Sequence, residues 1–158
     1  MSNIQPISNN NTGNVAVRTA TGGSLLARGL TAVHNAALAA SVPSADELER
    51  WFQMGEAFYD NEDYTQAVSW CRKAAEYGHA GAQRSLGRYY SKGWGKEGVK
   101  MAVQWWKKAA AQGHAEAQYC LGWCYYYDGR GVKKNKELAV QLYQKAAEQG
   151  HAEAQYYL

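Results

Sequence analysis

The chain has 158 residues, enough for one modest domain and a tail, and its formal net charge is +3. Arg18 and Arg28 are the basic residues of the first 45 positions, which hold no acidic one, so the remainder carries 15 basic against 14 acidic side chains. That balance lacks the positive footprint of a nucleic-acid binder, and no run of about 18 apolar residues offers a membrane span.

Residues 1–23 are rich in Asn, Ser, Thr and Gly and poor in large apolar side chains. Such a composition does not offset ordering entropy by burial, so a disordered tail is expected. Over 24–42 the pattern changes. Ser24 is placed to cap a helix in which Leu26, Leu30, Val33 and Ala37 form one stripe, an amphipathic cap for whatever follows. The stretch Ala37-Leu38-Ala39-Ala40-Ser41 has the small residues of a signal-peptidase site. Arg28, His34 and Asn35 break the segment before it, however, and no basic region follows Met1, which argues against a Sec signal. The acid-free start resembles the amino-terminal signals of bacterial type III secretion effectors. A cytoplasmic location and export by a non-Sec route both remain open.

From residue 44 the chain repeats itself, and residues 44–158 are expected to form one helical domain. Ser44-Ala45-Asp46-Glu47 has capping-box spacing and opens a helix running to about Tyr59, with Asp60-Asn61 as its turn. Lys-Ala-Ala-Glu-Tyr-Gly-His at 73–79 returns, barely altered, at 107–114 and 144–151. His79, His114 and His151 lie 35 and 37 residues apart, a period typical of stacked helix pairs. The first helix of each later unit carries 82–90 or 117–127, and the second 102–112 or 139–149, with apolar or small residues at helical spacing. Gly78, Gly113 and Gly150 fall where a left-handed C-terminal cap favours glycine. Gly55, Gly87 and Gly122, inside the first helices, predict a close helix crossing, with Ala74, Ala109 and Ala146 as its other side.

The pattern Ala-x-Ala-Gln-x-x-Leu-Gly, Tyr-Tyr, Gly-x-Gly, Ala-Val and Lys-Ala-Ala-x-x-Gly-His resembles the Sel-one-like repeat (SLR) family, relatives of tetratricopeptide (TPR) repeats. The resemblance covers about residues 45–158. It implies an all-α fold, an α/α superhelix built as a right-handed solenoid of helix pairs. Residues 80–114 and 115–151 read as Sel-one-like units, with Asp128-Gly129-Arg130-Gly131-Val132 as the glycine loop of the second. The loop Gly93-Trp94-Gly95-Lys96-Glu97-Gly98 is one residue short, and 44–79 lacks such a loop and looks TPR-like. Residues 152–158 begin a further, truncated unit whose uncapped end invites end-to-end association.

Nothing in the chain reads as a reaction centre. His-Ala-Glu at 114–116 and 151–153 falls at the repeat boundary, where capping one helix and starting another explains it. Cys71, Cys120 and Cys124 share no repeat position, and Cys120 with Cys124 alone makes no metal site. No enzyme, metal or cofactor is therefore expected. The positive signal is a surface. By the TPR register, first helices line a concave face with rows Phe52, Arg84, Tyr119 and Tyr156; Glu56, Arg88 and Trp123; and Tyr59, Ser91 and Tyr126. Tyr, Trp and Arg are the residue types enriched at binding hot spots. For Tyr119 and Tyr156, ordinary inter-repeat core is the competing reading.

A non-enzymatic scaffold that binds a peptide or partner protein on this concave face is the favoured function. A secreted effector gripping a host protein is the second. The third is a β-lactam-binding or hydrolysing protein, after a cysteine-rich bacterial branch of the family, whose regular cysteine pairs this chain lacks. Fusing residues 1–40 to a reporter tests export. A type III-competent strain that fails to secrete the fusion removes that reading.

Overall fold

The computed structural model describes residues 42–127 and 130–158; the expected tail and N-terminal cap, up to residue 41, lie outside them. The described residues form α1 (Ala45–Asp60), α2 (Tyr64–Glu76), α3 (Ala80–Gly93), α4 (Gly95–Ala111), α5 (Ala115–Tyr126), α6 (Lys136–Glu148) and the short α7 (Ala152–Tyr156), with no strand among them. Helices pack against their neighbours in sequence, with a lighter contact between α1 and α3. This is the expected all-α solenoid, in which each unit leans on the next.

The repeated Gly-His words are helix junctions. Gly78, Gly113 and Gly150 have φ of +91°, +87° and +85°, the left-handed region that a side chain would resist. Their N–H groups donate to the carbonyls of Ala75, Ala110 and Ala147, and the next N–H, of His79, His114 or His151, donates to Ala74, Ala109 or Ala146. That pair of bonds is a Schellman C-cap. Each histidine is then the N-cap of the following helix. Nδ1 of His79 accepts from the Ala82 N–H at 3.1 Å, and that of His151 from the Ala154 N–H at 3.3 Å.

The glutamine of Ala-x-Ala-Gln locks each junction. The side-chain amides of Gln83, Gln118 and Gln155 donate to the carbonyls of Ala75, Ala110 and Ala147 at 3.0, 3.4 and 3.2 Å. Gln112 then donates to the Gln83 amide oxygen at 2.8 Å, and Gln149 to that of Gln118 at 2.9 Å. Gln83 and Gln118 are buried, so both ends of each amide need a partner, and both find one.

Gly55, Gly87 and Gly122 do mark crossings, but the opposing residue is not the alanine the sequence suggested. A Cβ on Gly55 would strike the Cys71 sulfur, one on Gly87 the Trp106 indole, and one on Gly122 would lie 2.9 Å from the Tyr143 ring. Cys71, Trp106 and Tyr143 occupy equivalent positions one turn before Ala74, Ala109 and Ala146. Each glycine is a socket for a side chain larger than alanine from the paired helix.

The expected loop at 93–98 also differs. Trp94 alone separates α3 from α4, because Gly95 turns the chain at φ +56° and Gly98 is buried against the Tyr90 carbonyl. The three hairpin turns thus span residues 61–63, 94 and 127–135, whereas every junction is three residues, at 77–79, 112–114 and 149–151.

Gly87→Ala should lower stability by about 1–3 kcal/mol in urea titrations, overpacking outweighing the helix propensity gained. Gly93→Ala, whose Cβ meets nothing within 4 Å, should instead be neutral or stabilising by up to about 1 kcal/mol.

Candidate protein-binding face

The sequence rows fall on α1, α3 and α5, with Tyr156 on α7, and every residue in them but Tyr156 is half-buried. Their environments differ by row. Phe52 lies 4.9 Å from the His79 ring, and Tyr119 stacks on His151 at 4.7 Å. Arg84 sits between these two in the row and pairs with Glu116 at 3.4 Å. This row therefore rests on the N-cap histidines and serves inter-repeat packing. Tyr156 is 86% exposed.

The second and third rows meet in a tight cluster between α1 and α3. Arg88 Nη2 donates to both Glu56 carboxylate oxygens, at 3.3 and 3.1 Å, and the Tyr89 hydroxyl donates to Glu56 Oε1 at 2.5 Å. Tyr59 stacks on Tyr89 with centroids 4.5 Å apart and planes 13° apart, and the Arg88 guanidinium lies 4.7 Å over the Tyr59 ring. Burial works to raise the Glu56 carboxyl, but the Tyr89 and Ser85 hydroxyls and the Arg88 and Arg84 charges outweigh it and hold it below its ordinary range. Arg88 is thus committed to holding α3 on α1, a role the sequence did not give it. Ser91 turns back on its own helix, donating to the Arg88 carbonyl at 2.8 Å.

A second cluster forms on α5, the loop after it and the first residue of α6. The Arg130 guanidinium lies 4.3 Å over Trp123, and the Lys136 ammonium 5.2 Å over Tyr126. Tyr127, 39% exposed, packs on both rings, at 5.2 and 5.0 Å. Trp106, Tyr119, Cys120 and Trp123 bound a hollow of about 200 Å³ beside it. Sequence reasoning missed Tyr89, Tyr127, Arg130 and Lys136. Tyr89 was visible only as a repeat marker, and Arg130 only as part of the glycine loop.

The described residues contain no group of three or more His, Cys, Asp or Glu able to hold a metal ion. The three cysteines are free thiols that burial pushes up to about 11 for Cys71, 12 for Cys120 and 11 for Cys124, far from nucleophilic thiolates. His114 is held below its ordinary range by burial first and the Arg84 charge second, both of which favour its neutral form. No helix of the described residues is long and apolar enough to cross a membrane.

The family model described as the Sel1 repeat matches residues 50–79, 80–114 and 115–151. The crystal structure of a Sel1 repeat protein from Oxalobacter formigenes is 33% identical, with a TM-score of 0.63 over 71% of this chain and 87% of that one. A protective antigen present in uropathogenic Escherichia coli strains, displaying an SLR fold, is 39% identical with a TM-score of 0.64. That match covers 69% of this chain and 24% of the antigen. Helicobacter pylori cysteine rich protein B is 23% identical with a TM-score of 0.59, over 87% of this chain and 99% of that one, a likeness of fold alone. No curated protein sequence matches the chain.

Glu56→Gln should cost about 1–3 kcal/mol at neutral pH, because it leaves Arg88 without its carboxylate. Since the folded carboxyl titrates below its unfolded value, this stabilisation is complete above the ordinary glutamate pKa of about 4.3. It is lost as pH falls through the folded value. Denaturation of both proteins from pH 7 to pH 3 should therefore show the difference shrinking only at the acid end.

Proposed function

The chain belongs to the Sel1 repeat family, whose members are generally protein-interaction scaffolds, and on that premise we propose that it binds a peptide or partner protein on the face of α1, α3 and α5. The observation that carries this reading is the second cluster. Trp123 and Tyr126 present rings under the cations Arg130 and Lys136 and next to the exposed Tyr127. Rigid aromatic surface with cations over it offers contact area at low entropic cost and attracts a partner's carboxylates or rings. Phe52, Glu56, Tyr59, Arg84, Arg88 and Tyr119 then act as the supporting wall of the same face. The family is typically non-catalytic, in keeping with thiols that burial holds protonated.

End-to-end association belongs to the same proposal. Tyr156 and Leu158 are exposed by 86% and 59% on and beside α7, apolar surface that a second copy of the chain would cover.

The test keeps Arg88 intact, because its loss would loosen α1 from α3 as well as alter the face. Trp123→Ala with Tyr126→Ala should weaken a partner co-purified from the native host by at least tenfold, as truncating two aromatic anchors does. Helical content and cooperative unfolding should remain. Unchanged partner recovery overturns the assignment of this face.

A further inference from the structure

A separate hollow lies at the edge where the hairpin turns of the first two units meet. It has a volume of about 390 Å³ and is lined by Tyr59, Tyr64, Tyr89, Lys92, Gly93 and Trp94. We propose that this hollow is an anchor pocket for an aromatic side chain of a linear peptide, with Lys92 receiving a carboxylate from an adjacent residue. The proposal rests on the reading of the array as a peptide-binding scaffold and names one contact of that binding.

The walls are rings held in place before any guest arrives. Tyr59 is fixed by its stack on Tyr89, Tyr64 stands edge-on to Tyr59 at 5.4 Å and 69°, and Trp94 leans on Tyr90 at 5.2 Å and 56°. Little conformational freedom is left to lose on binding. Tyr64 and Trp94 are nonetheless 50% and 48% exposed, so each keeps a face available to a guest ring. A Cβ built on Gly93 meets nothing within 4 Å, which makes that residue an open part of the lining. A ring entering there meets edges and faces in the arrangements that aromatic pairs prefer.

Charge decides what accompanies the ring. Arg88 and Arg84, one and two turns earlier on α3, each hold a glutamate. Lys92 continues their stripe, makes no ion pair among the described residues, and has its ammonium 3.4 Å from the Tyr59 hydroxyl. A cationic guest is disfavoured beside it, and a carboxylate is favoured. The turn joining Tyr59 to Tyr64 carries Asp60, Glu62 and Asp63, and Asp63 is occupied in capping α2 through a 3.1 Å bond from the Gln66 N–H. Lys92 is thus part of the pocket's lining, while the acidic turn adjoins its Tyr59 and Tyr64 along the chain. The pocket suits an aromatic residue with an acidic neighbour on one side and a basic one on the other.

The experiment uses the 158-residue chain labelled with nitrogen-15 and two end-blocked tripeptides, Lys-Trp-Glu and Glu-Trp-Lys, with alanine-for-tryptophan and glutamine-for-glutamate controls. At millimolar concentration, one order should shift the Trp94 indole N–H and the Lys92 and Gly93 amides, and the alanine control should not. The glutamine control and Lys92→Glu should each weaken binding by about threefold or more, the size expected of an exposed ion pair. Gly93→Trp, at a position whose Cβ meets nothing within 4 Å, places a ring in the hollow and should weaken binding by at least tenfold. Trp94→Ala, which removes one wall, gives the same loss should the larger variant misfold. Absence of shifts at these residues with either peptide, or undiminished affinity in both the Gly93→Trp and Trp94→Ala proteins, overturns the pocket. Trp123→Ala with Tyr126→Ala should leave these shifts in place, so failure of the pocket and failure of the α1, α3 and α5 face are told apart.

Discussion

The junction between one helix pair and the next is the constraint on which the rest of this protein depends. At each junction a left-handed glycine closes a helix, a histidine opens the following one, and a glutamine, buried at the first two, ties the two backbones together. These bonds satisfy carbonyls and amides that helix ends otherwise leave bare. They also fix the angle at which units stack, because the glutamine amide reaches its carbonyl only when the two helices keep their offset. Every other property of the array, including which side chains share a face, follows from that angle.

Within a unit, the socket glycines set how closely the two helices approach, and the residue filling the socket varies. A thiol fills the first, an indole the second and a phenol ring the third, while the backbone plan stays the same. The Trp106 indole uses its position further, donating to the Arg84 carbonyl at 3.2 Å. Variation of this kind is tolerated because the space is defined by an absent side chain on one helix rather than by complementary packing of two. Stability and surface chemistry are thereby separated. Buried residues such as Leu86, Val103 and Tyr143 fill the interior, while Tyr59, Arg88, Trp123 and Tyr126 shape the face.

Much of this was legible in the sequence, and the reasons are local. Glycine followed by histidine at a fixed interval specifies a cap by backbone conformation alone, so Gly78, Gly113 and Gly150 were readable without tertiary knowledge. The register that put Glu56, Arg88 and Trp123 in one row was also readable, being a matter of counting. What those side chains do was not. Arg88 looked like an outward contact because nothing in the sequence says that Tyr89 and Glu56 converge on one point. Ala74, Ala109 and Ala146 looked like the far side of the crossing because small residues invite that inference, whereas the true neighbours are a thiol and two aromatic rings. The start of α4 was hidden by three glycines that read as a loop. Only packing reveals that Gly98 lies in a helix pressed on a carbonyl.

The unequal hairpin turns and the invariant three-residue junctions have a consequence for how such a chain can change over time. Terminals that are identical at both ends of a unit make the unit a cassette, so duplication or recombination at Gly-His would add a correctly wired module without inventing a new interface. Meanwhile the opposite edge, free to carry one residue or nine, can accumulate novelty at no cost to assembly. Inheritance of architecture and accumulation of new sequence are thus assigned to opposite rims of the repeat.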